Sequence, residues 1–223
     1  MRIDVITIFP SIFQGPLGAS LLGRAIGTGL LEVRIHDLRD RSTDRHRTVD
    51  DESYGGGPGM VMKPEPFFAA VESLDPDRGR VLLLSPAGRR LEQAFVRELA
   101  AEPHLTLLSG RYEGVDERVV EGLPAEEVSI GDYVLAGGEV PALVVIEAVA
   151  RLIPGVIGKE ESHEQDSFAE PGELDHPHYT RPAEFRGMAV PEVLRSGDHG
   201  AIDRWRREAA REKGRRNRPD SAS

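Results

Sequence analysis

Apolar positions along this chain fall into short unbroken runs separated by stretches of helical period. That is the pattern of strands covered on both faces and alternating with helices. Arg2–Phe9 carries Val5, Ile6 and Ile8 and stops at Pro10, which predicts a buried strand. Leu21, Leu22, Ala25 and Ile26 recur at helical spacing ahead of Gly27 and Gly29, and Glu32–Leu38 reads as a second strand. Between Arg39 and Met60 the periodicity fades and glycines gather in Tyr54-Gly55-Gly56-Gly57-Pro58-Gly59, so a loop is expected. Pro64 and Pro66 open a helix through Phe67, Phe68, Val71 and Leu74. Val81–Leu84 is a wholly apolar strand, Ser85–Gly88 reads as a turn, and a helix is predicted from Arg89 to Ala101. Leu105–Leu108 is a further buried strand, followed by a short helix over Val115–Glu121 and a strand near Val128. Pro141 suits the first turn of an apolar helix, Ala142–Ile153, closed by Pro154-Gly155.

This alternation predicts an α/β fold with a mainly parallel sheet over residues 1–158. Lys159–Asp175 holds seven acidic residues and few large apolar ones, so a flexible linker is expected there. Residues 176–223 read as a small helical domain whose main helix spans Asp198–Lys213, with a disordered tail over Gly214–Ser223.

Composition narrows the setting. No apolar run approaches the ~20 residues that cross a bilayer, so no membrane association is expected. The absence of cysteine excludes disulfides, thiolate metal sites and cysteine nucleophiles, and makes a reducing cytoplasm the expected location. A net charge of −10 argues at first against nucleic acid. Its distribution argues the other way: Arg181–Arg218 has 11 basic against 6 acidic residues, while the remainder carries 17 against 32. Such asymmetry marks either an interaction surface or a solvated charged helix.

Gly55–Gly59 lacks the Gly-Lys-Ser/Thr of a phosphate-binding P-loop, and no Gly-x-Gly-x-x-Gly follows a strand into a helix. More telling are three turns that follow three apolar strands: Ser85–Gly88, Gly110–Gly114 and Ile130–Gly138. Ligands of open α/β sheets sit beyond the carboxyl ends of the strands, and glycine lets backbone groups approach them. Alone, this pattern implies a small-molecule pocket. Histidines 163, 176 and 178 stand among carboxylates but lack metal-site spacing on rigid elements, so no metal is expected there. Asp166, followed by Ser167-Phe168, is a polar residue beside an apolar anchor. An exposed aspartate, with pKa ~3.9, is a weak base at neutral pH unless its surroundings change.

At these residues the chain resembles the bacterial tRNA (guanine-N1-)-methyltransferase family. The resemblance rests on 44-DRHRTVDD-51, 54-YGGGPGM-60, 110-GRYEGVDER-118, 129-SIGDYVL-135, Gly137-Gly138-Glu139, 151-RLIPGV-156, Asp166-Ser167-Phe168 and 177-PHYTRP-182. It runs in order from Ile8-Phe9-Pro10 to Trp205-Arg206. It implies a trefoil-knotted (SPOUT-type) methyltransferase domain, a linker and a helical domain, working as a homodimer with sites between subunits. The implied reaction moves a methyl group from S-adenosyl-L-methionine to N1 of guanine 37 in tRNA, with Mg2+ possible and Glu113 beside the donor. The donor pocket is implied at Ser85, Pro86, Gly88, Gly110, Arg111, Tyr112, Glu113, Ile130, Gly131, Asp132, Tyr133, Val134, Leu135, Gly137, Gly138 and Pro141. Asp166 corresponds to the general base and Arg151 to the catalytic arginine. Contacts to tRNA are expected from His178, Arg181, Arg204, Arg206, Arg207, Arg211 and Lys213, together with the Arg39–Arg47 loop. Ala87 stands where the family often has Gln.

Two other readings share parts of this pattern. One is a related knotted methyltransferase acting at another RNA position or on a ribose 2′-OH; the Asp166-Ser167-Phe168 and Gly110–Arg118 stretches separate it. The other is a non-catalytic RNA-binding protein of the same fold, against which the pairing of Asp166 with Arg151 speaks.

Overall fold

The structure, a computed structural model, describes residues 1–74, 78–158, 166–168 and 173–218. The chain forms two compact units, Met1–Lys159 and Glu160–Ser223.

In the first unit, strands β1 (Arg2–Thr7), β2 (Glu32–Asp37), β5 (Arg80–Arg90), β6 (His104–Ser109) and β7 (Ala125–Ser129) form one sheet in the order β2-β1-β6-β5-β7. Every neighbouring pair is parallel. The apolar runs follow from burial on both faces. Ile3, Val5, Leu82, Leu84, Leu105 and Leu107 point into one cluster, and Ile6, Val81, Leu83 and Leu108 into the other. The first cluster is closed by helices α2 (Ser20–Gly27), α4 (Gln93–Ala100) and α6 (Glu139–Ala150) through Leu22, Phe95, Leu99, Val145 and Ile146. The second is closed by α3 (Pro64–Glu72) and α5 (Arg118–Gly122) through Phe67, Val71 and Val119. Between β1 and α2 lies the one-turn helix α1 (Gln14–Leu17). This is the expected α/β sheet with helices on both faces.

Three expectations need correcting. The Arg39–Met60 segment is not all loop: β3 (Asp50–Glu52) pairs antiparallel with β4 (Met60–Met62). These strands are three residues long and β3 is wholly acidic, so propensity gave no signal. The helix predicted from Arg89 begins only at Gln93, because β5 runs on to Arg90. Leu84 and Arg89 both pair with Val128, so residues 85–88 are an excursion inserted between two rungs of one ladder. Gly88 returns the chain against β7, where a Cβ would lie 2.2 Å from the Glu127 carbonyl carbon.

In the second unit, β8 (Glu184–Phe185) and β9 (Met188–Ala189) make a small hairpin that the sequence did not announce. Helix α7 spans His199–Asn217, capped by the Asp198 carboxylate on the Ala201 N–H at 3.0 Å. It therefore overruns the predicted stop at Lys213 and takes in four residues of the expected tail. Gly214 alone does not end it, and Arg215 and Arg216 in the last turn suit the negative end of the helix dipole. Residues 219–223, and most of the expected linker with His163, lie outside the described residues.

One buried cluster near the amino ends of the strands carries charge. Asp4, 1 % exposed, accepts from His36 at 2.5 Å and His104 at 2.6 Å and pairs with Arg2 at 3.0 Å. Burial opposes its ionisation, but these hydrogen bonds and the His36 and Arg2 charges outweigh that and hold its pKa below the ordinary value. A depressed carboxylate pKa gives stability that is complete above the unfolded value of about 3.9 and is lost as pH falls through the folded one. Denaturant unfolding between about pH 5 and pH 2 should show this loss, and Asp4→Asn should flatten the slope. An unchanged slope in the variant would contradict the assignment.

Candidate active site

The three turns singled out in the sequence converge. Residues 85–88 leave β5, 110–114 leave β6 and 130–138 leave β7, all at the carboxyl edge of the sheet. They enclose a cavity of about 460 Å³, within the range of small-molecule sites. Its walls include Leu84, Ile130, Val134, Leu135 and Pro141; its polar groups include Ser85, Glu113, Glu117, Glu127 and Ser129.

The loops are fixed by one another. Gly138 N–H donates to Gly110 carbonyl at 2.8 Å, and Arg111 and Gly137 form an antiparallel bridge. Glu113 N–H donates to Met60 carbonyl at 3.0 Å and Met62 N–H to Gly114 carbonyl at 2.9 Å, so β4 backs the second loop. In the third loop, Gly131 N–H donates to Ser129 Oγ at 3.2 Å. At Gly138 a Cβ would lie 2.8 Å from Ser109 Cα and 3.1 Å from Gly110 N, so only glycine lets these strand ends close. Tyr112 holds φ at +61°, a strained backbone in the cavity wall.

A buried charge pair sits under the cavity. Glu139, fully buried in the first turn of α6, accepts from Arg111 Nε at 2.8 Å and from Thr7 Oγ1 at 2.9 Å. Arg111 also donates to Ala136 carbonyl at 3.3 Å, and its guanidinium lies 4.7 Å from the centre of the Phe9 ring. One carboxylate thus ties the end of β1 to the second and third loops. Sequence reading gave Arg111 to the pocket but assigned Glu139, Thr7 and Phe9 no part. An acidic residue in the first turn of a helix, after two glycines, was the available signal.

Of the residues expected at the pocket, Ser85, Pro86, Gly110, Arg111, Tyr112, Glu113, Ile130, Gly131, Tyr133, Val134, Leu135, Gly137, Gly138 and Pro141 line this cavity, joined by Ala87. Gly88 and Asp132 do not. Gly88 packs on the β7 backbone, and the exposed Asp132 carboxylate pairs with Arg90. Arg151 is also elsewhere. It caps the carboxyl end of α6, with its N–H on Glu147 carbonyl at 3.2 Å. Ten residues of helix, roughly 15 Å of rise, separate it from Pro141.

Asp166 belongs to the second unit, in a turn where Phe168 N–H donates to Glu173 carbonyl at 2.7 Å. Arg218 stacks over the Phe168 ring at 4.9 Å, which gives the expected apolar anchor a partner. Arg181, Arg204, Arg206, Arg207 and Arg211 are exposed. Lys213 is half-buried and donates to Asp175 carbonyl at 3.1 Å, so its ammonium is committed inside the unit. His176 and His178, read from sequence as solvated, both meet the Asp175 carboxylate, at 2.8 and 2.6 Å.

Fold and cavity define an α/β protein with a cavity of small-molecule size between backbone loops at the carboxyl edge of a parallel sheet. Comparison with known proteins specifies which. The chain belongs to the tRNA (guanine-1)-methyltransferase TrmD family, whose model matches residues 1–223. It is similar to the tRNA (guanine-N(1)-)-methyltransferase of Geobacter metallireducens, 53 % identical over 222 residues, covering 99 % of this chain and 90 % of that one. The protein of the same name from a Cyanothece species is 54 % identical over 222 residues, with 99 % and 92 % covered. That from Dictyoglomus turgidum is 52 % identical over 220 residues, with 99 % and 89 % covered.

Proposed function

We propose that this chain transfers a methyl group from S-adenosylmethionine to N1 of guanine 37 in tRNA. The observation that carries the proposal is the glycine-closed cavity built by three stitched loops, in a chain that matches the family over its whole length. S-adenosylmethionine fits what the residues offer. The volume is right for a nucleoside-sized ligand, apolar walls suit an adenine ring, and exposed backbone groups suit its edge. The trefoil-knotted topology belongs to the same proposal, supported by the stitching of Gly138 to Gly110 and of Gly137 to Arg111.

When bound, the donor supplies an electrophilic methyl on a sulfonium. The work of the chain is to ready the acceptor. Guanine N1 carries a proton, so its lone pair is not available until a base takes that proton. In the proposal the Asp166 carboxylate accepts it, and the N1 lone pair forms the new bond to the methyl carbon as the carbon–sulfur bond breaks, its electron pair staying on sulfur as a neutral thioether. Negative charge builds on O6 as the proton leaves, and the fixed, always-charged guanidinium of Arg151 is its stabiliser until the methyl arrives. The loops add positioning, which converts an encounter of two substrates into an oriented one. Mg2+ would take most of its ligands from water and substrate oxygens; Glu113, Glu117 and Glu127 line the cavity, and the resemblance assigns the approach to Glu113.

Homodimerisation is part of this reading. An arginine about 15 Å along α6 from its own cavity requires a second chain, or a large motion, to meet a base bound there. Helix α6 is apolar nearly all round yet leaves Val140 and Val144 exposed, 53 % and 41 %, and Val134 is 84 % exposed. Such a stripe suits a subunit interface. The exposed arginines of α7, Arg204, Arg206, Arg207 and Arg211, with His178 and Arg181, would hold tRNA phosphates, while guanine itself is read in the pocket. No described helix is long and apolar enough to cross a membrane, and cytoplasmic location is proposed with the tRNA substrate.

Labelled-methyl transfer to tRNA transcripts tests the site. A transcript with guanine at 37 should take up label, and one with adenine there should not. Equal labelling of both would overturn the position and leave a knotted methyltransferase of different target.

A further inference from the structure

Among the described residues, one group of side chains outside the cavity has the composition of a metal site: Asp175, His176 and His178. One donor atom from each, the Asp175 carboxylate and the two imidazole nitrogens that face it, lie within 4.8 Å of one another. The facing atoms are His176 Nδ1, 2.8 Å from Oδ1, and His178 Nε2, 2.6 Å from Oδ2. We propose that these three residues bind a divalent transition-metal ion of the zinc type.

The chemistry of the set supports this. Two imidazoles and one carboxylate are the donors that Zn2+ and its neighbours take, with metal–ligand distances near 2.0–2.2 Å. Ligands around a tetrahedral ion stand roughly 3.4 Å apart, so the group needs only to open by a small rotation of each ring. The carboxylate sits between the imidazoles, and an ion entering there replaces two hydrogen bonds by three coordinate bonds, each ring then carrying its proton on the nitrogen that faces away.

Preorganisation is visible on both sides of Asp175. Its N–H donates to Ser167 Oγ at 3.0 Å, and its carbonyl accepts from Lys213 at 3.1 Å. Pro177 restricts the backbone between the two histidines. His176 is 17 % exposed, so its ring is held among its neighbours and not free in solvent. His178 is 69 % exposed, which leaves an open side for the water that completes such a shell.

Position gives the site a consequence. Ser167, in the turn that carries Asp166, and Lys213 of α7 both grip Asp175. An ion on Asp175 would brace that turn within the second unit. The site does not depend on the methyl-transfer reading, and its test reads the ion, not the reaction.

Full-length protein purified without a histidine tag and treated with chelator should bind one equivalent of Co2+, with the intense visible absorption of a tetrahedral site. Zn2+ should displace it. His176→Gln and His178→Gln should each weaken binding about tenfold or more, and the double variant should lose it. His46→Ala, on an exposed loop of the other unit, should bind as the parent does. Retention of the parent's helical circular dichroism separates loss of the site from loss of fold. Absence of saturable one-to-one binding in the parent, or equal binding in a folded double variant, would overturn the proposal. Both outcomes are read from the ion alone, and methyl transfer is measured separately.

Discussion

Asp166→Asn is expected nearly to abolish turnover while leaving donor binding intact. The change replaces a carboxylate by an amide of the same shape, so packing around Phe168 and Arg218 is preserved. What disappears, in the proposed mechanism, is the acceptor for the N1 proton. A positioned general base contributes about 10²–10⁴-fold to rate, and kcat in the variant should fall by that factor. Calorimetric titration with S-adenosylmethionine should give the parent's affinity, because the cavity belongs to the other unit of the chain. Turnover close to the parent's would remove Asp166 from the mechanism.

The second large effect is expected at Glu139, a residue that touches no substrate in this account. Glu139→Ala leaves the Arg111 guanidinium, about one-fifth exposed, without its buried counter-charge, and Thr7 without its acceptor. Removing one partner of a buried pair costs up to 3–5 kcal/mol; with Arg111 partly hydrated, a loss on the order of 3 kcal/mol is expected. For a chain of this size that corresponds to a drop in Tm of roughly 6–12 °C. The loop carrying Arg111 and Tyr112 would also lose its tether, so donor affinity should fall along with stability. Glu139→Gln, which keeps an acceptor but not the charge, should lie between. Thermal unfolding and donor titration on the three proteins check this. A loss in Glu139→Ala below about 1 kcal/mol would show that Glu139 does not organise the site.

The core strands were legible because their information is local. Val81–Leu84 and Leu105–Leu108 are unbroken apolar runs, and burial on both faces is what such runs require. The pocket was legible for a related reason, since ligands collect at strand ends and the glycine-rich turns there were visible in the sequence. What stayed hidden depends on distant partners. Arg89 looks like a helix start until Val128 claims both it and Leu84. The acidic strand Asp50–Glu52 exists because Met60–Met62 pairs with it. Glu139 and Arg111 are 28 residues apart, and nothing near either one announces the pair. The grouping of His176 and His178 on Asp175 depends on Ser167 and Lys213, and Lys213 lies 38 residues away. Propensity and periodicity do not report contacts of that kind.

The residue roles come from a different source than the elements do. The sequence placed Arg151 by resemblance, while the helix it ends explains why a lone cavity does not include it.

Nucleoside analysis of methylated tRNA addresses the central claim most directly. Purified protein, S-adenosylmethionine carrying a labelled methyl and a guanine-37 transcript are incubated, and the RNA is digested to nucleosides and separated by mass. The account predicts that the label appears in 1-methylguanosine. Recovery of intact, unlabelled guanosine, or of label in another nucleoside or on ribose, would contradict it.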